Sequence, residues 1–132
     1  MGRMANSVVH FEIPAEDVER ARAFYSQAFG WQIEAYPGMD DYYGMTTTEI
    51  DEQFMPIKPG AINGGLFKRT KPLTTPMITI DVDDIDAALE KAEKLGAKTL
   101  RGREAVGDIG FIGYFEDPEG NVVGLWQNVP SA

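Results

Sequence analysis

One histidine, three serines and no cysteine are the nucleophiles, neutral bases and soft metal ligands available to this 132-residue chain. The missing cysteine removes disulfides, thiolate nucleophiles and cysteine-ligated zinc or iron–sulfur centres together. Serine occurs at Ser7, Ser26 and Ser131, and any serine–histidine machinery must use His10, so a serine hydrolase is set aside. A metal site built mainly from imidazole is excluded by the same count, leaving carboxylates to supply ligands. The most concentrated arrangement is His10 with Glu12, two residues apart in an alternating apolar run. On one face of a strand they form a candidate catalytic pair, with the carboxylate raising the basicity of the imidazole. The plainer alternative is an inward-facing polar His10 held by Glu12 or by a neighbouring strand.

The elements that must carry these residues come from an internal repeat. His10–Ala21 and Met77–Ala88 superpose without a gap: Phe11 and Ile13 match Ile78 and Ile80, Glu16-Asp17 match Asp83-Asp84, Val18 matches Ile85, and Ala21 matches Ala88. Each copy opens with a period-2 strand, Val9–Ile13 or Met77–Val82, and continues into a helix. The helices show apolar stripes at Val18, Ala21, Phe24, Tyr25, Ala28 and Phe29, and at Ile85, Ala88, Leu89, Ala92 and Leu95. Acidic pairs sit at both helix starts, and Gly30 and Gly96 stand where left-handed C-caps are wanted. Shorter β-runs follow: Trp31–Ala35, Tyr42–Thr47 and Ala61–Phe67, then Lys98–Leu100, Phe111–Phe115 and Asn121–Gln127. Turns are expected at Pro37-Gly38 and Asp117–Asn121, and a loop at Glu49–Pro59. The chain thus reads as one α+β domain, 1–132, made of module one (8–67), a linker (68–76) and module two (77–127), each β-α-β-β-β.

Charge narrows the partners. Twenty-one acidic against twelve basic residues give a net charge of −9, which disfavours nucleic acid and anionic membrane surfaces. The N-terminus carries no apolar stretch of signal-peptide length, so a cytoplasmic location is expected.

The runs His10…Asp17–Tyr25…Phe29-Gly30-Trp31, Val82–Ala88…Gly96-Ala97 and Asp117-Pro118-Glu119-Gly120-Asn121 resemble the vicinal oxygen chelate superfamily, the glyoxalase/bleomycin resistance/dioxygenase proteins. The resemblance implies two βαβββ modules curving into an open eight-stranded mixed sheet, a cup around a cavity, usually in a homodimer. It also implies one divalent ion held by four residues, one from the first and one from the last strand of each module. Carried over, those positions are His10, Met77, Gly65 and Gly124. A thioether and two glycines supply no suitable donor, so the expectation is no metal and no other cofactor.

Strand alternation turns His10, Glu12, Met77 and Thr79 toward the cup. Trp126 shares a face with Gly124, which would leave volume beside its indole, and Phe111, Phe115, Tyr43 and Trp31 lie on or near cup-forming strands. Met77, Thr79, Phe111, Gly124 and Trp126 are therefore the expected ligand-binding residues, in contact with a planar or partly apolar molecule. Lys68-Arg69-Thr70-Lys71 reads as a solvated basic loop, and Asp40-Asp41 and Asp51-Glu52 as exposed acids. The expected function is binding of a small organic ligand in a metal-free cup. The alternatives are a metal-dependent lyase, isomerase or dioxygenase of the same superfamily, and a regulatory dimer whose cup is filled by Met77, Trp126 and Phe111.

Overall fold

The structure, a computed structural model, describes residues 6–37, 39, 41–53 and 55–129. Contacts group the chain into two compact units: a first, His10–Pro76, and a second, residues 77–132 together with 1–9. The boundary falls inside the first strand because the Asp81 amide donates to the Ser7 carbonyl at 2.8 Å and the Asn6 side chain donates to the Asp81 carbonyl at 3.0 Å.

Along the first unit run β1 (Val8–Ala15), α1 (Val18–Phe29), β2 (Gln32–Ala35), β3 (Tyr42–Thr46) and β4 (Asn63–Lys68). β1 pairs in parallel with β4, which pairs antiparallel with β3, which pairs antiparallel with β2. The second unit repeats this plan with β5 (Met77–Asp81), α2 (Ile85–Lys94), β6 (Lys98–Val106), β7 (Gly110–Glu116) and β8 (Val122–Asn128). Both units are βαβββ modules of mixed strand direction, as the repeat requires. The helix ends also follow the residues named for them. Asp17 and Asp84 cap by accepting from the Arg20 and Ala87 amides, and Gly30 and Gly96 take left-handed φ values of 75° and 106°.

In the first unit Ile33, Met45 and Leu66 are all but inaccessible, and Phe11, Ile13, Tyr25, Trp31 and Tyr43 pack on them from the side carrying α1. In the second, Val82, Ile85, Leu89 and Leu125 form the core, with Ile80, Phe111 and Phe115 against it. Burial of each such side chain is worth roughly 1.5–3 kcal/mol. Gln127, on the α2 side of β8, accepts from the Ile85 amide at 2.8 Å and satisfies a donor that the first turn of α2 leaves without a partner. Replacing Gln127 by Ala should cost about 1 kcal/mol in urea unfolding. An unchanged midpoint would mean that water caps the helix equally well.

One reading changes. β6 runs to Val106, not Leu100; Arg101, Arg103 and Glu104 hide the alternation, and register shifts on either side of Arg101 break the period that would reveal it. Within the linker 68–76 Leu73 is buried, and the Arg69 amide donates to the Ala15 carbonyl at 2.9 Å. In the Lys68–Lys71 cluster Lys68, Thr70 and Lys71 are exposed, while Lys68 Nζ donates to the Glu16 carbonyl and Arg69 pairs with Glu16 at 3.3 Å. Asp117–Asn121 forms the β7–β8 turn, with the Asp117 carboxylate accepting from the Glu119 and Asn121 amides. Gly38 and Asp40 lie outside the described residues. Among the described residues, no helix is long and apolar enough to cross a membrane.

Candidate functional site

Because Phe11, Ile13, Tyr43, Met45 and Leu66 face α1, alternation puts His10, Glu12, Tyr42, Gly44 and Gly65 on the opposite face of the first unit's sheet. Glu12 stands directly beside Gly65 in the β1–β4 ladder, and Gly44 beside Gly65 in the β3–β4 ladder. With no side chain at 44 or 65, the ring of Tyr42 leans across from β3 and fills the space. A Cβ at Gly65 would lie 2.0 Å from Tyr42 Oη and 2.4 Å from its Cζ. The ring stacks on Phe67, with centroids 6.5 Å apart and planes at 14°, and its hydroxyl lies 3.1 Å from His10 Nε2.

Burial controls the chemistry of His10. Desolvation pushes its pKa down from 6.5 to about 4, so the imidazole is neutral at physiological pH. This corrects the expectation of raised basicity: loss of hydration outweighs any carboxylate nearby, and the phenol of Tyr42 is a hydrogen-bond partner. A neutral imidazole and a phenol, each able to donate or accept, suit recognition of a polar ligand atom or movement of a proton near neutral pH. Glu12 is itself buried, 6% exposed.

The second unit answers with different residues at equivalent places. Thr79 pairs with Gly124 as Glu12 pairs with Gly65, so the two glycines occupy one position in their modules. A Cβ at Gly124 would be 3.0 Å from Thr79 Oγ1 and 3.3 Å from the Tyr114 ring. The volume expected beside the Trp126 indole at Gly124 is thus already taken. The indole instead lies over Gly110, whose Cβ would meet it at 2.3 Å, and Trp126 Nε1 donates to Asn128 at 2.8 Å. Met77 and Thr79 are buried at 5% and 4% exposure, and Thr79 Oγ1 has no hydrogen-bond partner among the described residues.

Phe111 is a correction. It packs with Val82, Ile85, Leu89 and Leu125 on the α2 side and carries Arg103 over its ring at 4.9 Å, so it belongs to the core and not to the face of Gly124. Phe115, Tyr43 and Trp31 are helix-side residues in the same way. Sequence reasoning chose Tyr43 and passed over Tyr42, although strand phase distinguishes the two. The signal was available in Gly44 and Gly65, two glycines without side chains that leave room for a neighbouring ring.

The fit of a metal to these residues can be judged unit by unit. In the first, His10 supplies one donor and Tyr42 occupies the space a ligand at 65 would need; in the second, Met77 and Gly124 supply none suited to a hard or borderline ion. No group of three or more His, Asp or Glu side chains able to hold an ion occurs among the described residues. The residues present do not fit the ion.

Two βαβββ modules, each presenting a first-strand and a last-strand position on the sheet face opposite its helix, define a class of paired-module proteins. A family model described as the Glyoxalase/Bleomycin resistance protein/Dioxygenase superfamily matches residues 7–125, and the chain belongs to that superfamily. Proteins named "Putative glyoxylase CFP32" from Mycobacterium bovis and Mycobacterium tuberculosis are 32% identical over 120 residues, which is 88% of this chain but 43% of their length. The chain therefore spans less than half of these relatives. A "Glyoxylase-like domain-containing protein" of Didymella fabae is 34% identical over 83% of the chain and 84% of its own. Methylmalonyl-CoA epimerase of Mycobacterium tuberculosis shares the fold, with a TM-score of 0.60 at 15% identity, covering 93% of this chain and 88% of that one. A homoprotocatechuate 2,3-dioxygenase variant of B. fuscum gives 0.62 at 16% identity, covering 95% of this chain and 33% of that one.

Proposed function

We propose that this chain binds a small organic molecule on the sheet face of the first unit that carries His10, Glu12 and Tyr42, and does so without a metal ion. The observation that carries the reading is the phenol of Tyr42 packed over Gly65 and hydrogen-bonded to His10. A pair of neutral groups stands where the resemblance implies a metal ligand from the last strand. Its buried, mixed polar and aromatic make-up is that of small-molecule sites, where a few convergent polar groups orient a ligand against apolar walls. The metal-dependent lyase, isomerase or dioxygenase reading is less well supported because three of its four side-chain donors are absent.

A thermal-shift screen of small organic acids, ketones and aromatics tests this. A hit should raise the melting temperature, and both His10→Ala and Tyr42→Phe should weaken its binding by about five- to tenfold, the usual cost of one buried hydrogen bond. Hits that bind both variants normally would move the site elsewhere. Protein purified without chelator or nickel affinity resin should carry far less than one equivalent of nickel, zinc or iron. A near-stoichiometric ion that disappears in His10→Ala would overturn the metal-free reading.

We further propose a homodimer. Among the described residues β2 pairs only with β3 and β6 only with β7, leaving strand edges of the kind that association covers. Light scattering at micromolar concentration should give twice the chain mass, and a monomer would refute it.

A further inference from the structure

We propose that the first unit carries a second ligand site on its helix side, a pocket for a small aromatic carboxylate bounded by Arg20, Arg69, Phe24 and Tyr25. An open cleft of about 370 Å³ lies where β1 runs into α1, wide enough to seat a small ligand with one side left to solvent. Its apolar wall includes Phe24 and Tyr25, whose rings meet edge to face at 5.1 Å and 81°. Phe24 is 57% exposed, and none of the twelve residues of α1 is buried, so this aromatic surface is left facing water.

The polar groups around the cleft are unevenly used. Its two acids are engaged: Glu16 accepts from Arg69 Nη1 at 3.3 Å, and Asp17 caps α1 by accepting from the Arg20 amide at 3.0 Å. The two arginines are not used up. Arg69 Nε is shut off from solvent and has no acceptor among the described residues, while Nη2, at the edge of the cleft, reaches the Pro14 carbonyl only at 3.5 Å. The Arg20 guanidinium makes no ion pair or hydrogen bond among the described residues. In a chain of net charge −9, two guanidiniums with unused donors beside an aromatic wall are out of keeping with the surroundings. A planar carboxylate matches the guanidinium fork, the N-terminus of α1 favours its charge, and its ring would lie against Phe24 and Tyr25.

Trp31 stacks flat on Tyr25, with centroids 5.1 Å apart and planes at 6°, and reports on the pocket; Trp126→Phe removes the second tryptophan. In that background, phenylacetate should change Trp31 emission saturably, and neutral phenylacetamide should bind at least tenfold more weakly. Arg20→Ala and Arg69→Gln should each weaken phenylacetate at least fivefold, while Lys91→Ala on α2 should bind like the parent. Arg69 also holds Glu16, so Arg20→Ala, on an exposed side chain, decides the matter if Arg69→Gln fails to fold. Equal binding of acid and amide, or undiminished binding by Arg20→Ala, would overturn the proposal. So would phenylacetate binding lost in His10→Ala but kept in Arg20→Ala.

Discussion

Gly65→Ala should lower the free energy of unfolding by about 2–4 kcal/mol, whereas the same change in a Tyr42→Ala background should cost under about 1 kcal/mol. The added methyl would start 2.0 Å from Tyr42 Oη and 2.4 Å from Cζ, so the ring must leave. Leaving breaks the contact with His10 Nε2 at 3.1 Å, a hydrogen bond worth about 1 kcal/mol, and the stacking on Phe67. Chemical denaturation of the four proteins of this cycle measures the coupling directly. Equal costs in both backgrounds would show that Tyr42 does not depend on the bare position. Because His10 is the only histidine, its ring protons give isolated NMR signals, and Gly65→Ala should move its pKa upward as the displaced phenol lets water in.

Acidification should reveal His10 in the same way. Its pKa is 6.5 when solvated and about 4 in the folded protein, so between these values the unfolded chain binds the extra proton. The stability linked to a neutral His10 is therefore complete above pH 6.5, declines as pH falls through that window, and is gone below about 4. At about 1.4 kcal/mol per pKa unit, the loss is up to about 3 kcal/mol. Carboxylates add their own acid lability, as at Asp117, whose pKa the turn amides depress, so the comparison is with His10→Gln, which retains a hydrogen-bonding group. Urea unfolding at pH 7 and pH 4.5 should show wild type losing more stability than the variant. Parallel losses would mean that His10 is solvated and titrates normally.

Much of this was legible in the chain itself. The twelve-residue repeat set two copies of one module, the alternation of Phe11 and Ile13 against His10 and Glu12 set which side of β1 meets the helix, and the acidic pairs with Gly30 and Gly96 set the helix ends. These are local properties: side-chain period, capping chemistry and left-handed backbone act over a few residues and leave a mark in each. The absence of donors at Met77, Gly65 and Gly124 was equally readable, since a missing functional group needs no coordinates.

What only the tertiary structure decided concerns what occupies space. Gly44 and Gly65 mark room for a ring beside β4, but that the ring filling it is Tyr42, stacked on Phe67 and bonded to His10, follows from the register of β3 against β4. Phe111 reached the core because β7 presents it with Phe115 to α2, and the room at Gly124 was filled by Thr79 and Tyr114 from neighbouring strands. β6 stayed hidden because an edge strand tolerates charge, and Arg69 was placed against Glu16 by a pairing 53 residues apart. Contacts between distant residues depend on register and side-chain volume in three dimensions, and neither is written in the neighbours along the chain.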